Sequence, residues 1–388
     1  MGVPLRYNFR SLMDRKATTA MTAAGIALAV AVLVISLALI GGLRATFAAT
    51  GNPLQLIILR KGVTSELNST VSQAALQEFR TKPQVAMLPD GQPMVSPELV
   101  TAINLANVDS AAGMNVTVRG MLPIGLAMRE VRMIQGVAFT PGRREVIVGK
   151  SIAQRYPDAH LGGTLRFARG TWNVVGVFEG GEMSAFGSEI WCDINQLRSD
   201  QGRLGDMSSV LVRVKDRAAI APLIQEVKNK RLADAEAMTE QAYYAGMTVS
   251  GAPLETLGLM VAGIMAIGSA FGTMNTMYAA VARRGREIGT LRALGFSRWS
   301  ILQSFMFESM LLSLVGGIFG CLLALPLNNV TTGVGNFATF SEVAFAFRVS
   351  WGVMLGGLTF AVVIGGLGGF LPARAASRRD LITTLREY

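Results

Sequence analysis

Charge, histidine and cysteine are all scarce in this chain. Of its 388 residues only 16% are Asp, Glu, Lys or Arg, against roughly 25% in an ordinary soluble domain. Hydrophobic residues make up 51%, and mean hydropathy is +0.40. One large core cannot absorb that excess, because chains of this size divide into domains and cover themselves with charge. The surplus apolar residues must face lipid, which excludes an ordinary cytosolic enzyme. A single histidine, His160, gives neither a zinc site nor a histidine-based triad, so no metal ligand and no catalytic residue is expected. Cys192 lies in a polar stretch and Cys321 in an apolar span, which provides no disulfide framework. No G-x-x-x-x-G-K-[ST] stretch occurs, so no phosphate-cradling loop and no bound cofactor are expected in this chain.

The charge that is present is predominantly basic and unevenly placed. Lys and Arg number 36 against 26 Asp and Glu, for a formal net charge of +10. Residues 1–16 hold Arg6, Arg10, Arg15 and Lys16 against Asp14 alone. Residues 283–298 hold Arg283, Arg284, Arg286, Arg292 and Arg298 against Glu287. The tail holds Arg374, Arg378, Arg379 and Arg386 against Asp380 and Glu387, whereas 44–252 is nearly balanced. Basic residues gathered beside apolar spans set membrane orientation. A nucleic-acid footprint would need a basic face with aromatic partners, so no nucleic-acid partner is expected.

Four segments are long and apolar enough to cross a bilayer core, which takes about 20 helical residues: 17–43, 257–281, 305–327 and 351–371. The first follows a basic start but is too long for the apolar region of a cleaved signal peptide, so it reads as a retained signal anchor. With the basic segments placed in the cytoplasm, both termini and the loop 282–300 lie inside. Residues 44–252 and the short loop 328–350 lie outside. The spans carry glycines four residues apart: Gly268 with Gly272, Gly316 with Gly320, Gly352 with Gly356, and Gly365 with Gly369. Such pairs let helices approach closely, either between two copies of the chain or within one four-helix unit.

The stretch 44–252 alternates β-like runs with helical ones. Strands are expected at Leu54–Leu59, Val131–Ile134, Val146–Val148, Leu165–Phe167, Trp172–Phe178 and Val210–Val214. Helices are expected at Val71–Arg80, Ser151–Tyr156 and Ala218–Lys230, the last with Ile220, Leu223, Ile224 and Val227 on one stripe. The expected fold class is therefore a membrane protein of four transmembrane α-helices with a large mixed α+β extracytoplasmic domain between the first and second. Pro83–Pro97 reads as an internal linker, giving two lobes. Ser184 and Ser188 sit among glycines without a nucleophile-elbow pattern, and Glu179, Glu182 and Glu189 are spaced like surface residues.

The richest stretch is the inner loop, Arg283 to Arg298. Ile288, Leu291 and Leu294 recur at three-residue steps on a short helix that Gly295 ends. Such a helix lies on headgroups or docks into a groove on a cytoplasmic partner. Glu308, early in the third span, has two readings: pairing with Arg292 or Arg298 to shape that site, or an interfacial carboxylate reaching headgroup water. Glu255 reads as interfacial at the outer end. Leu5, Phe9, Leu12 and Met13 interleave with Arg6, Arg10 and Arg15 over 1–16, as in an interfacial helix.

Three of these stretches together resemble the permease domain of the MacB/FtsX-like ABC transporter family. They are the start through the first span, the loop "REIGTLRALGFSR" leading to Glu308, Gly316 and Gly317, and Pro372-Ala373-Arg374-Ala375-Ala376 after the fourth span. The resemblance implies a non-catalytic permease subunit in a bacterial inner membrane whose loop is a coupling helix set against a separate ATPase. Arg286, Glu287, Gly289, Leu291, Arg292, Leu294 and Gly295 would make that contact. Two ATPase copies would bind ATP and Mg, and two permease chains would pair as a homodimer. Movement would pass through the spans to the outer domains, driving export or extraction of a hydrophobic or lipidic substrate, or tripartite efflux. A periplasmic adaptor with an outer-membrane channel, or a lipoprotein, would then be a further partner, beside membrane lipid. The alternative is an FtsX-like signalling scaffold that activates a cell-wall hydrolase.

Overall fold

The structure is a computed structural model that describes residues 16–106, 113–181, 184–205, 207–230, 234–248, 252–336 and 341–378. The interfacial helix expected over 1–16 therefore falls, but for Lys16, outside the described residues, as do Glu182 and the tail beyond Arg378. In chain order the helix α1 (Lys16–Ala49) is followed by β1 (Gln55–Arg60), α2 (Gln73–Arg80), β2 (Val95–Leu105), β3 (Met114–Met121), α3 (Pro123–Arg129), β4 (Arg132–Gly136), β5 (Glu145–Gly149) and α4 (Lys150–Arg155). Next come β6 (Thr164–Phe167), β7 (Gly170–Glu179), β8 (Glu189–Asp193), α5 (Ile194–Gln201), β9 (Ser209–Arg213), α6 (Ile220–Lys230), β10 (Ala235–Thr239) and α7 (Glu240–Met247). The last third holds α8 (Ala252–Arg283), α9 (Gly285–Ala293), α10 (Arg298–Ala324), β11 (Thr331–Asn336), β12 (Ser341–Ala346) and α11 (Trp351–Arg378).

These elements form two compact units. One is helical: α1 up to Gly41, Pro253–Val330, and the described residues from Phe347 onward. Among the described residues, α1, α8, α10 and α11 are the helices long and apolar enough to cross a membrane. At about 1.5 Å per residue, the 34 residues of α1 reach well past a hydrocarbon core of about 30 Å.

Small residues decide how these helices pack. A β-carbon on Gly316 would lie 2.8 Å from the Ala23 carbonyl oxygen, and one on Gly320 would lie 2.5 Å from that of Ala27. Those glycines let α10 close on α1, where Ile26, Val30 and Val34 meet Cys321, Ala324 and Ala361. Gly365 and Gly369 of α11 give way to the side chains of Ser313 and Ser309 in the same manner, and Gly368 to Ala270 and Thr273 of α8. Gly268, Gly272 and Gly356 have open space around them, and Gly352 meets nothing nearer than the Ser350 hydroxyl. Two glycine pairs thus pack inside the unit and two face away from it.

The other unit is an α/β domain, Gly42–Ala252 with Thr331–Ala346. Its main sheet, counted over the described residues, has ten strands in the order β10-β1-β9-β2-β3-β8-β5-β7-β4, with β6 paired to β7. One core gathers Leu99, Val116, Val118, Val146, Val148, Trp172, Ile190 and Cys192. A second gathers Leu56, Ile58, Val210 and Val212 beneath α2 and α6, through Leu76, Phe79, Leu223 and Val227. The amphipathic stripe read in 218–230 is the face α6 lays on the sheet.

Two expectations need correction. Pro83–Pro97 is no linker: Val85 is buried and bridged to Val214, and Pro97 already sits in β2 opposite Val210. The two cores share one continuous sheet. The loop 328–350 is also more than a connection, because its β11–β12 hairpin is part of the α/β domain. Its alternation is weak, with Gly333 and Gly335 in one strand, which hid it from periodicity.

Candidate functional site

The centre of the α/β domain is charged. Arg119, on β3, has Nε and Nη2 2.8 and 2.9 Å from the carboxylate of Glu189 on β8, and Nη1 and Nη2 2.8 and 2.9 Å from that of Glu66. Its Nη1 also donates to Glu98 on β2 at 2.7 Å. Arg129, at the end of α3, donates to the same Glu98 oxygen at 2.7 Å and to Glu240 at 2.8 Å. All six groups are buried. The sheet register explains the grouping. Val100 stands opposite Arg119 and Thr117 opposite Glu189, so Glu98, Arg119 and Glu189 are diagonal neighbours on one face, while Leu99, Val118 and Ile190 line the other.

Buried charge is tolerated only when paired and hydrogen-bonded, and this cluster is densely bonded. Glu66 accepts from the Ser209 hydroxyl at 2.5 Å, Glu189 from Trp191 Nε1 at 2.6 Å, and the Arg129 guanidinium stands 4.7 Å from the centre of the Phe186 ring. Burial alone would raise the carboxyl of Glu66, but the charge and hydrogen bonds of Arg119 bring it below the usual carboxylate range. Glu240 goes the other way, raised by burial in spite of Arg129. Four carboxylates share two guanidiniums.

Three chain connections converge here. After α1, the Asn52 N–H donates to Glu240 at 2.8 Å. Glu240 opens α7, which leads into α8, and α7 also supplies Tyr243 and Tyr244. From the hairpin between α10 and α11, the Thr117 hydroxyl meets that of Ser341 at 2.7 Å, the Ala344 N–H donates to Ser188 Oγ at 2.8 Å, and Glu342 is held by Tyr156 and Arg155. A cavity of about 30 Å³, lined by Phe47, Glu66, Arg119, Tyr244 and Glu342 among others, lies where they meet. Its size suits one or two waters. Gly42 runs so close to Ala346 that a β-carbon there would overlap the carbonyl.

At the other end of the chain, α9 forms where the loop's periodicity placed a helix, and Gly295 at φ +90° closes it. The residues do not share one face as expected. Ile288 is buried with Met277, Val281, Ile301 and Phe305, Leu291 is half-buried, and Leu294 is 72% exposed. Arg286, Glu287 and Gly295 are exposed, Arg292 is half-buried and Gly289 is buried. Glu308 pairs with neither Arg292 nor Arg298 but with Arg284, at 2.9 Å. Arg284 sits at the break between α8 and α9, one turn before the loop's apolar stripe begins, and both partners are buried.

Sequence reading missed the ion cluster and took Glu189 for a surface residue. The signal available was a charge at alternate positions within strands whose remaining residues are apolar, as in Glu98-Leu99-Val100 and Val118-Arg119. That pattern marks a sheet buried on both faces as well as a half-solvated one.

A membrane unit of four spanning helices, with an α/β domain inserted between the first and second, defines an ABC transporter permease of the MacB/FtsX type. The chain belongs to that family: the MacB-like periplasmic core domain matches residues 19–230, and the FtsX-like permease C-terminal matches residues 259–381. It is 26% identical to the ABC transporter permease YknZ of Bacillus subtilis (strain 168), over 98% of both chains. It is 38% identical to the macrolide export ATP-binding/permease protein MacB of Nitrosomonas europaea over 93 residues, which are 24% of this chain and 13% of that one. Among solved structures, the periplasmic region of MacB from Actinobacillus actinomycetemcomitans aligns with a TM-score of 0.38 at 14% identity, over 50% of this chain and 92% of the other.

Proposed function

We propose that this chain is the non-catalytic transmembrane subunit of a bacterial ABC transporter, driven by a separate ATPase that binds ATP and Mg. The convergence on the Arg119 cluster of the segments after α1, before α8 and between α10 and α11 carries the reading. Displacement of any of the spanning helices reaches the same buried node of the α/β domain. Hydrolysis on the inner side thereby becomes movement outside, and substrate need not cross between the helices.

In this reading Leu294, Arg286, Glu287 and Gly295 meet the ATPase directly, Leu291 and Arg292 border the contact, and Gly289 is buried behind it. The Arg284–Glu308 pair ties the start of α9 to α10 and orients it. The protein sits in the inner membrane with both termini inside and acts as a pair of identical chains with two ATPase copies. Its cargo is a hydrophobic or lipidic molecule exported or extracted from the membrane.

Purification in mild detergent from the host's own membranes, with stoichiometric partners identified by mass spectrometry, tests this. An ABC ATPase present in equal copy number is expected, and an adaptor or lipoprotein beside it would fix the export route. Absence of any ATPase contradicts the proposal. A cell-wall hydrolase in place of an adaptor would turn the same motion to signalling.

A further inference from the structure

Tyr244, on α7, is 3% exposed, and its hydroxyl has no hydrogen-bond partner among the described residues. Its ring is held between two others, meeting Phe186 edge-on at 5.7 Å and Tyr243 at 5.3 Å between ring centres. Phe would fill the same space without burying a polar atom, and an unpaired buried hydroxyl is costly. The neighbouring Tyr243 is satisfied, since its hydroxyl accepts the Glu66 N–H at 3.1 Å.

Tyr244 lines the cavity of about 30 Å³ beside the Arg119 cluster, and Ser188, Glu66, Glu189 and Glu342 share the wall. Ser188 Oγ accepts the Ala344 N–H at 2.8 Å, which leaves its own hydrogen to donate. Arg119 directs its N–H groups at Glu66, Glu98 and Glu189. The cavity therefore offers two hydroxyl hydrogens and a set of carboxylate oxygens. Their complement is a small neutral molecule that both accepts and donates. A bare cation would meet Arg119 and the hydroxyl hydrogens, and an anion would meet three carboxylates.

We infer that this cavity is a built water site, in which a pair of waters accepts from Tyr244 and Ser188 and donates to the carboxylates of Glu189 and Glu342. Its volume holds about two waters, at roughly 10–15 Å³ each. Buried waters that satisfy several polar groups are part of a fold. Here they join α7, which leads into α8, to Ser188 and to Glu342 of the β11–β12 hairpin. Such bridges are nearly as good as direct hydrogen bonds and impose no single side-chain geometry on the segments they link. The inference does not rest on the transport reading, because it is tested with neither ATP nor an ATPase present.

The sign of one substitution tests it in the full chain in detergent. Tyr244→Phe removes only the hydroxyl oxygen and keeps the ring contacts. Loss of a water-bonded hydroxyl should lower the thermal midpoint, by about 2–4 °C for a domain of this size, whereas loss of an unpaired one should raise it. Ser188→Ala should lower the midpoint less in the Tyr244→Phe background than in the native chain, since both hydroxyls act through the same waters. A high-resolution map of the full chain should show water within hydrogen-bond distance of Tyr244 Oη. A raised or unchanged midpoint for Tyr244→Phe, full additivity of the two substitutions, or a map without that water overturns the inference. So does a midpoint that is higher in sodium or potassium chloride than in choline chloride only while Tyr244 is in place, which would make the occupant a cation.

Discussion

Arg129 Nη1 lies 2.8 Å from one oxygen of Glu240, and the other oxygen of Glu240 accepts the Asn52 N–H at 2.8 Å. Glu240 therefore joins the place where the chain enters the α/β domain after α1 to the helix by which it leaves for α8. Glu98 extends the link, since it takes a hydrogen bond from Arg129 and another from Arg119. The cluster spans the domain from its membrane connections to its central strands.

Removing Arg119 should be severe. Arg119→Met leaves Glu66, Glu98 and Glu189 buried with one guanidinium fewer, and loss of one partner from a buried pair costs about 3–5 kcal/mol. A lowered thermal midpoint of the full chain in detergent checks this. The double variant Arg119→Met with Glu66→Gln should recover part of the loss.

Opposite shifts on Glu66 and Glu240 give opposite pH dependence. The carboxyl of Glu240 is raised above 4.5 by burial, so its stabilising contribution is complete below that value and is lost as pH rises through the folded value. Glu240→Gln should gain relative to the native chain as pH climbs from about 4 to 8. Glu66 is lowered, so its contribution is present above 4.5 and lost as pH falls. The deficit of Glu66→Gln should shrink toward acid. Thermal midpoints across pH read both slopes.

The glycines divide into two classes. Gly320→Val brings a side chain against the Ala27 carbonyl and Val30, whose Cβ would be 2.8 Å away, and overpacking of this sort costs about 1–3 kcal/mol. Gly272→Val meets open space and should leave the midpoint of the solubilised chain unchanged. Thermal unfolding of the two variants side by side distinguishes the classes.

Sequence reading reached the membrane half and part of the α/β domain for physical reasons that differ. Runs such as 17–43 and 351–371 announce themselves because lipid demands a continuous apolar stretch. The strand at Trp172–Phe178 and the helix at Ala218–Lys230 are carried by their own periodicity. In contrast β2, β3 and β8 hold Glu98, Arg119 and Glu189 facing inward, and only their pairing across strands distant in sequence makes those charges internal. The β11–β12 hairpin was hidden likewise, because its partners, Thr117, Arg155, Tyr156 and Ser188, come from another part of the chain. In the inner loop, helix and stop were legible, but which arginine meets Glu308 depended on how α8 breaks before α9.

The most direct test follows hydrogen–deuterium exchange in the chain reconstituted with its ATPase, comparing the native sequence with Leu294→Asp. Leu294 is exposed, so the substitution should leave folding and insertion intact. Addition of ATP and Mg should change exchange in Glu240–Met247 and Ser341–Ala346 of the native chain and leave the variant unchanged. An identical ATP response in both proteins, or none in the native one, would contradict transmission from α9 to the buried cluster.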